Sequence, residues 1–436
     1  MEISLNYGKE GLAVPLDDGW RVTTLVKPSM PLLADPHAAM AEALARPVAS
    51  PQLASPPLAE QARRAGPGAN ACILICDITR PVPNGVILPP LVRTLLESGL
   101  SPERIQVLVA TGLHRPNEGE ELAEVVGDAW VLETCPVHNH DARDDGAHVD
   151  LGLTSRGTRV RLDRRFVEAD LRIVTGLVEP HFMAGFSGGR KVIAPGVAHA
   201  ETITTFHSAR FMEDPRAANC VLEGNPLHAE QLEIVEMVGG AMAVNVVIDE
   251  ERRPAFLNFG EVVASHGEAV EFLRVYAEVP VRERFSTVLT SAAGYPLDKT
   301  YYQTVKGMVG AMDILAPGGD LIIASACSEG MGSPEYVAAQ RRLVAQGPEG
   351  FLASIMGKTH ADVDEWQTEM QLKPMRQGQI HLYTEGLSES EQALTGVARA
   401  PSVTEALRAS VARSGDPRIA VIPEGPYVVP VYRPEG

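Results

Sequence analysis

Positive charge is in short supply in this chain. It has 38 Lys and Arg against 56 Asp and Glu, a net charge of -18. A surface that acidic favours solubility and disfavours nucleic acid or anionic membranes as partners. Cysteine is sparse as well: Cys72, Cys76, Cys135, Cys220 and Cys327 make five. An odd, scattered set excludes a disulfide framework and suits a reducing compartment. No apolar run approaches the roughly 18 residues of a membrane-spanning helix. The opening "MEISLNYGKEGL" alternates like a strand and lacks a basic region followed by an apolar core, so no signal peptide is expected. These absences together predict a cytoplasmic location. No internal repeat or low-complexity tract is visible.

What is present is ordinary globular material, 45 % apolar and 22 % charged over 436 residues. At roughly 100–200 residues per domain, that length predicts two or three domains. Residues 30–68 are rich in Ala and Pro, around "ARPVASPQLASPPLAEQARRAGPGA". They read as short helices and a surface connector, with a flexible Pro-rich linker as the alternative. The chain then becomes regular. "ACILIC" (71–76), "RIQVLVA" (104–110), "DLRIVTGLV" (170–178) and "AVNVVID" (243–249) are apolar runs bounded by turn signals, as buried parallel strands require. "PLVRTLLESGL" (90–100) has helical spacing. A second set follows: "FSTVLTSA" (285–292), "GDLIIASA" (319–326), "QIHLYTE" (379–385) and "RIAVIPEG" (418–425). Strand–helix–strand order predicts α/β architecture, with two domains that each carry a mainly parallel sheet flanked by helices. The cut is placed near 275, giving domains 1–275 and 276–436, with the active site in the cleft between them.

Ligands of open α/β sheets bind at the carboxyl ends of strands. Three strands here end in chemistry: "DITRPVP" with Asp77, Thr79 and Arg80; "TGLHRP" with His114; and "EPHFMAGFSGGRK" with His181, Ser187, Gly188, Gly189 and Lys191. Each residue alone has a plain reading. Asp77 would cap a helix, Arg80 would make a surface ion pair, His114 would hold a structural hydrogen bond, and Lys191 would be solvated. Their joint placement argues for a site. A phosphate-binding P-loop does not fit, because the second Gly is misplaced and Val192 stands where Ser or Thr would hold magnesium. "CPVHNH", with Cys135, His138 and His140, has metal-ligand residue types but no identifiable fourth ligand. Further on, "GYPLDKTYYQTVKG" sets Gln303 and Lys306 about one helical turn apart, and "DEWQ" sets Trp366 among polar residues. Trp366 reads either as a lid over a flat ligand or as a small satellite cluster.

The stretches "DITRPVP", "ATGLHRP", "EPHFMAGFSGGRK", "HSAR" and "GYPLDKTYYQTVKG", in that order, resemble the nickel-dependent lactate racemases. The resemblance implies a nickel-pincer nucleotide, a pyridinium mononucleotide with two sulfur-bearing groups, attached to Lys191, with His207 completing the nickel coordination. It implies His114 and His181 as the two acid–base groups, and Arg80 and Lys306 as holders of the substrate carboxylate. Gln303, Tyr302 and Trp366 fall on further substrate positions, and Asp77, Thr79, Ser187, Gly188 and Gly189 on cofactor positions. The implied activity is racemisation or epimerisation of a 2-hydroxy acid by reversible hydride transfer through a 2-keto acid, with cofactor-synthesis and insertion proteins as partners. The chemistry agrees: proton removal beside a carboxylate builds an unfavourable dianion, whereas hydride removal needs an acceptor that no side chain supplies. Two departures are visible. The segment before Trp366 is short, and Met331 stands where a His is expected. They leave malate, 2-hydroxyglutarate, longer 2-hydroxy acids and sugar acids open beside lactate. Two other classes stay open: a non-catalytic carrier of the nickel cofactor, which would need Lys191 and His207 but not both His114 and His181, and a nucleotide-phosphate enzyme.

Overall fold

The computed structural model describes residues 1–49 and 55–434. The middle of the Ala- and Pro-rich connector, residues 50–54, lies outside the described residues. Its flanks are the two short helices Pro36–Ala45 and Leu58–Ala65. No helix among the described residues is long and apolar enough to cross a membrane.

The chain divides into two compact units. One comprises Ser29–Phe206 and Val221–Val275. Its six-stranded sheet runs Pro254–Glu261, Met242–Ile248, Leu171–Leu177, Ala71–Cys76, Ile105–Ala110, Val137–Asn139. Neighbours are parallel except Pro254–Glu261, which returns antiparallel beside Met242–Ile248. The central strands are buried almost end to end, which is why they read as unbroken apolar runs rather than alternating ones. Helix Asn84–Glu97 covers one face and starts earlier than the sequence spacing indicates. Pro89 and Pro90 lie inside it. Their fixed φ is compatible with a helix, and each costs one backbone hydrogen bond. Ile87, Leu88, Leu91, Val92 and Leu95 seal that face against Ile73, Ile75, Val107 and Val109.

The other unit comprises Met1–Pro28, His207–Cys220 and Tyr276–Gly436. Its six strands are all parallel, in the order Ala398–Arg399, Gln379–Tyr383, Leu315–Ala324, Phe285–Ser291, Arg418–Ile422, Arg21–Thr24.

Two parallel-sheet units flanked by helices match the architecture read from the sequence. The domain limits 1–275 and 276–436 need correction. The break at 275/276 stands, but two segments change sides. Residues 1–28 go with the second unit because Arg21–Thr24 pairs along Arg418–Ile422, Arg21 opposite Arg418. Residues 207–220 go there because Ala209 packs with Leu343, Phe351, Ile355 and Leu372, while Arg376 pairs with Glu213 at 2.7 Å. Both are contacts between residues far apart in sequence, which local spacing cannot report.

Candidate active site

In the first unit the three chemistry-bearing strand ends are neighbours, because Leu171–Leu177, Ala71–Cys76 and Ile105–Ala110 are adjacent in the sheet. Asp77, directly after Ala71–Cys76, is 5 % exposed. Its Oδ2 lies 2.6 Å from His114 Nδ1, and its Oδ1 accepts the Thr79 hydroxyl at 2.6 Å. Burial alone would raise the Asp77 carboxyl. The bonds from His114 and Thr79 and the nearby Arg80 charge outweigh it and hold the carboxyl below its ordinary value. An ionised carboxylate only accepts, so the bond places a proton on His114 Nδ1, and in the neutral ring Nε2 is the lone pair. Asp77 thus holds His114, and Thr79 holds Asp77.

His181 is held the opposite way. It is buried, and its Nδ1 accepts from the N–H groups of Met183 at 3.3 Å and Ala184 at 3.2 Å. A neutral ring so held carries its proton on Nε2. Arg80 Nη1 sits 3.1 Å from Glu179 Oε1, both half-buried. Glu179 is a residue that motif reading passed over, although it stands in the same stretch as His181.

The Gly-rich loop is built from the hairpin of Pro180–His181 against Gly185–Phe186. The Ser187 hydroxyl donates to Leu177 O at 2.7 Å and accepts from Glu179 N at 3.0 Å. Gly188 and Gly189 have φ of +78° and +48°, a region that side-chain-bearing residues rarely adopt. A Cβ on Gly188 would lie 2.7 Å from the Val178 side chain, and one on Gly189 would lie 2.9 Å from that of His266. The two glycines are therefore needed for close packing of the loop on its own unit. Lys191 follows, half-buried, in the single-turn helix Arg190–Ile193.

In the second unit, His207 and Trp366 are buried, with ring centroids 5.0 Å apart. Trp366 belongs to helix Glu365–Gln377 and packs on the His207 imidazole. Tyr302, Gln303 and Lys306 share helix Tyr301–Ala311. Tyr302 meets Tyr336 edge-on at 5.1 Å. The Gln303 Oε1 is buried without a hydrogen-bond partner among the described residues, so a ligand has an acceptor to satisfy there. Met331 is buried in the apolar cluster with Tyr301 and Tyr336. In "CPVHNH", His138 is exposed, while His140 is buried with its ring nitrogens at Asp163 (3.1 Å) and Ala198 O (3.0 Å). Among the described residues no group of three or more His, Cys, Asp and Glu is placed to hold a metal by itself.

Each unit holds a residue type that suits a cofactor bringing most of its own metal ligands: Lys191, an amine, follows the tightly packed loop in one, and His207, a buried imidazole, lies beside Trp366 in the other. Gln303 Oε1 supplies an unused acceptor.

Two imidazoles with opposite hydrogen-bonding arrangements stand at the carboxyl ends of parallel strands, where α/β enzymes place their sites. Known proteins agree. The model of the lactate racemase N-terminal domain matches residues 7–219, and that of the C-terminal domain matches residues 282–430. The lactate racemase of Thermoanaerobacterium thermosaccharolyticum is 31 % identical over 363 residues, covering 83 % of this chain and 84 % of that protein. The lactate racemase of Lactiplantibacillus plantarum is 30 % identical over 364 residues, with coverage of 83 % and 84 %. The solved lactate racemase apoprotein from T. thermosaccharolyticum superposes with a TM-score of 0.87 at 28 % identity, over 99 % of this chain and 100 % of that one. A Thermotoga maritima protein, 18 % identical with a TM-score of 0.64, shares the fold over 86 % of this chain and 97 % of its own. The chain belongs to the lactate racemase family. It is accordingly an isomerase of the racemase type.

Proposed function

We propose that the protein interconverts the enantiomers or epimers of a 2-hydroxy acid, with lactate as the default substrate, using a nickel-pincer nucleotide carried on Lys191 and coordinated by His207. When bound, that group supplies the hydride acceptor for C2. The observation that carries the reading is the pair of rings: His114, fixed by Asp77 with a lone pair on Nε2, and His181, held by two backbone N–H groups with its proton on Nε2. His114 takes the hydroxyl proton of one enantiomer as its C2–H bond breaks, and Asp77 stabilises the resulting imidazolium. His181 offers an N–H to the substrate oxygen. To act as base toward the other enantiomer through Nε2, the ring must carry its proton on Nδ1 instead, which ends the bonds it accepts from Met183 and Ala184 at 3.3 and 3.2 Å. Arg80 grips the substrate carboxylate bidentately while Glu179 holds the guanidinium in place, and Lys306 adds a point charge. Gln303, Tyr302 and Trp366 are assigned to substrate binding as well, as the family resemblance implies. The cofactor-synthesis and insertion proteins are the partners this chemistry requires.

The test uses protein from its native host, or produced together with cofactor-making proteins, with each pure enantiomer of lactate, malate and 2-hydroxyglutarate in D2O. Chiral chromatography should show racemisation of at least one acid, with C2 protium retained in the product, and a mass adduct on Lys191. Full deuterium incorporation at C2 would replace hydride transfer by proton abstraction. Full activity of Lys191→Ala would remove the covalent carrier.

A further inference from the structure

Beside Lys191 stands Arg190, a side chain the proposed reaction does not use. It is 1 % exposed. Its Nε donates to His228 Nδ1 at 2.8 Å, its Nη1 contacts His266 Nε2 at 2.8 Å, and its Nη2 donates to Ala184 O and Phe186 O at 3.0 Å each. No carboxylate among the described residues pairs with it. Burial pushes the guanidinium down to about 9, which still leaves it charged at neutral pH.

A buried cation without a counter-ion costs several kcal/mol. It persists here because His228 Nδ1 and two carbonyl oxygens accept its N–H groups in place of water, with His266 Nε2 in contact beside them. The four partners come from three places. Two are carbonyls in or beside the Gly-rich hairpin, one imidazole is on helix Pro226–Met237, and the other is on helix Val262–Ala277. One planar fork therefore ties the loop to two helices. Both rings stay neutral. Burial first, then the Arg190 charge, pushes His228 down to about 3 and holds His266 well below the ordinary histidine value. His266 Nε2 is also 2.8 Å from Ser187 O, so this single nitrogen faces both the guanidinium and the loop backbone. Lys191 lies one residue on, in a helix of 4 residues that has no stability of its own. Val192 and Ile193 are buried and anchor its far end, and Arg190 anchors its first residue.

We propose that Arg190, gripped by His228 and His266, is a positioning residue that fixes the Gly-rich loop so that Lys191 is held in the orientation that carries the cofactor. This rests on Lys191 being the attachment point.

The test compares wild type with Arg190→Lys, which keeps the charge but loses the fork; His228→Leu, which removes an acceptor; and His228→Asn, whose Oδ1 stands where Nδ1 was. Each is produced with the cofactor-making proteins, and the Lys191 adduct is followed over time by intact mass. Amide hydrogen exchange is measured on the cofactor-free proteins. Arg190→Lys and His228→Leu should load about 10–100-fold more slowly, the range typical of lost supporting contacts. Exchange over 184–191 should speed at least about tenfold in both while strand Leu171–Leu177 is unchanged. His228→Asn should restore both readouts. Faster loop exchange with loading at the wild-type rate would overturn the proposal, leaving the clamp purely structural. Equal loss in His228→Asn and His228→Leu would overturn it as well. If Arg190→Lys fails to fold, the two His228 variants decide alone. Wild type that never gains mass on Lys191 would instead refute the attachment reading, and the proposal with it.

Discussion

Glu369→Gln should make this protein more stable at pH 7.5, although it removes a charged residue type from a cluster of opposite charges. Glu369 is 1 % exposed on helix Glu365–Gln377, three residues beyond Trp366, and its Oε1 has no partner among the described residues. The surrounding cations are committed elsewhere: Lys373 donates to Ala217 O at 2.8 Å, and Arg376 pairs with Glu213 at 2.7 Å. Burial pushes the Glu369 carboxyl up to about 9, with Glu213 adding to the shift and Lys373 opposing it. The folded protein therefore holds this carboxyl neutral, while the unfolded chain ionises it near its ordinary 4.5. For an acid whose folded pKa is raised, the stabilising share is complete below the unfolded value and is lost as pH climbs toward the folded one. At pH 7.5 the loss is about 3 pH units times ~1.36 kcal/mol, or about 4 kcal/mol. A glutamine of the same shape is neutral at every pH and recovers that amount, less whatever Lys373 would return to an ionised Glu369. The gain should be near zero at pH 4.5 and grow with pH. Native-state hydrogen exchange of the 365–377 helix, comparing variant and wild type at the same pH, reads the difference directly. A variant less stable than wild type at pH 7.5 would refute the reasoning: Glu369 would then be ionised and paired with Lys373, and removing it would strand a buried charge at a cost of about 3–5 kcal/mol.

Three further outcomes are expected. Asp77→Asn should leave the fold intact and slow racemisation by about 10–100-fold, because His114 loses the carboxylate that fixes its tautomer; chiral chromatography of loaded enzyme checks this, and unchanged rates would count against His114 as the base. Gly188→Ala places a methyl 2.7 Å from Val178 at φ +78° and should destabilise its unit by about 1–3 kcal/mol, read by urea unfolding. His228, depressed to about 3, contributes stability that is complete above pH 6.5 and falls by about 1.4 kcal/mol per pH unit below it; His228→Asn should flatten that slope between pH 6.5 and 5, and parallel curves would show that His228 is protonated in the fold.

Much of the fold was legible because buried parallel strands announce themselves as apolar runs. "ACILIC", "RIQVLVA" and "FSTVLTSA" each became a strand within a residue of the expected limits. The antiparallel return at Pro254–Glu261 was not seen, since its burial is broken by half-exposed positions and its run opens on a proline. The partner of His114 was not assigned either. Asp77 was noticed as a strand-end residue, but the pairing spans 37 positions of sequence and depends on two strands lying side by side.

What the sequence by itself determined is the central buried strands, the chemistry at their ends and the family, since all three are carried by residues close together in the chain. What only the tertiary structure decided is which segments belong together and what each polar group faces. Residues 1–28 and 207–220 leave their sequence neighbours, Arg80 finds Glu179, and Arg190 is buried among two histidines and two carbonyls. The physical reason is that hydrophobic periodicity is local, whereas strand pairing and the satisfaction of a buried charge are settled by groups tens to hundreds of residues apart.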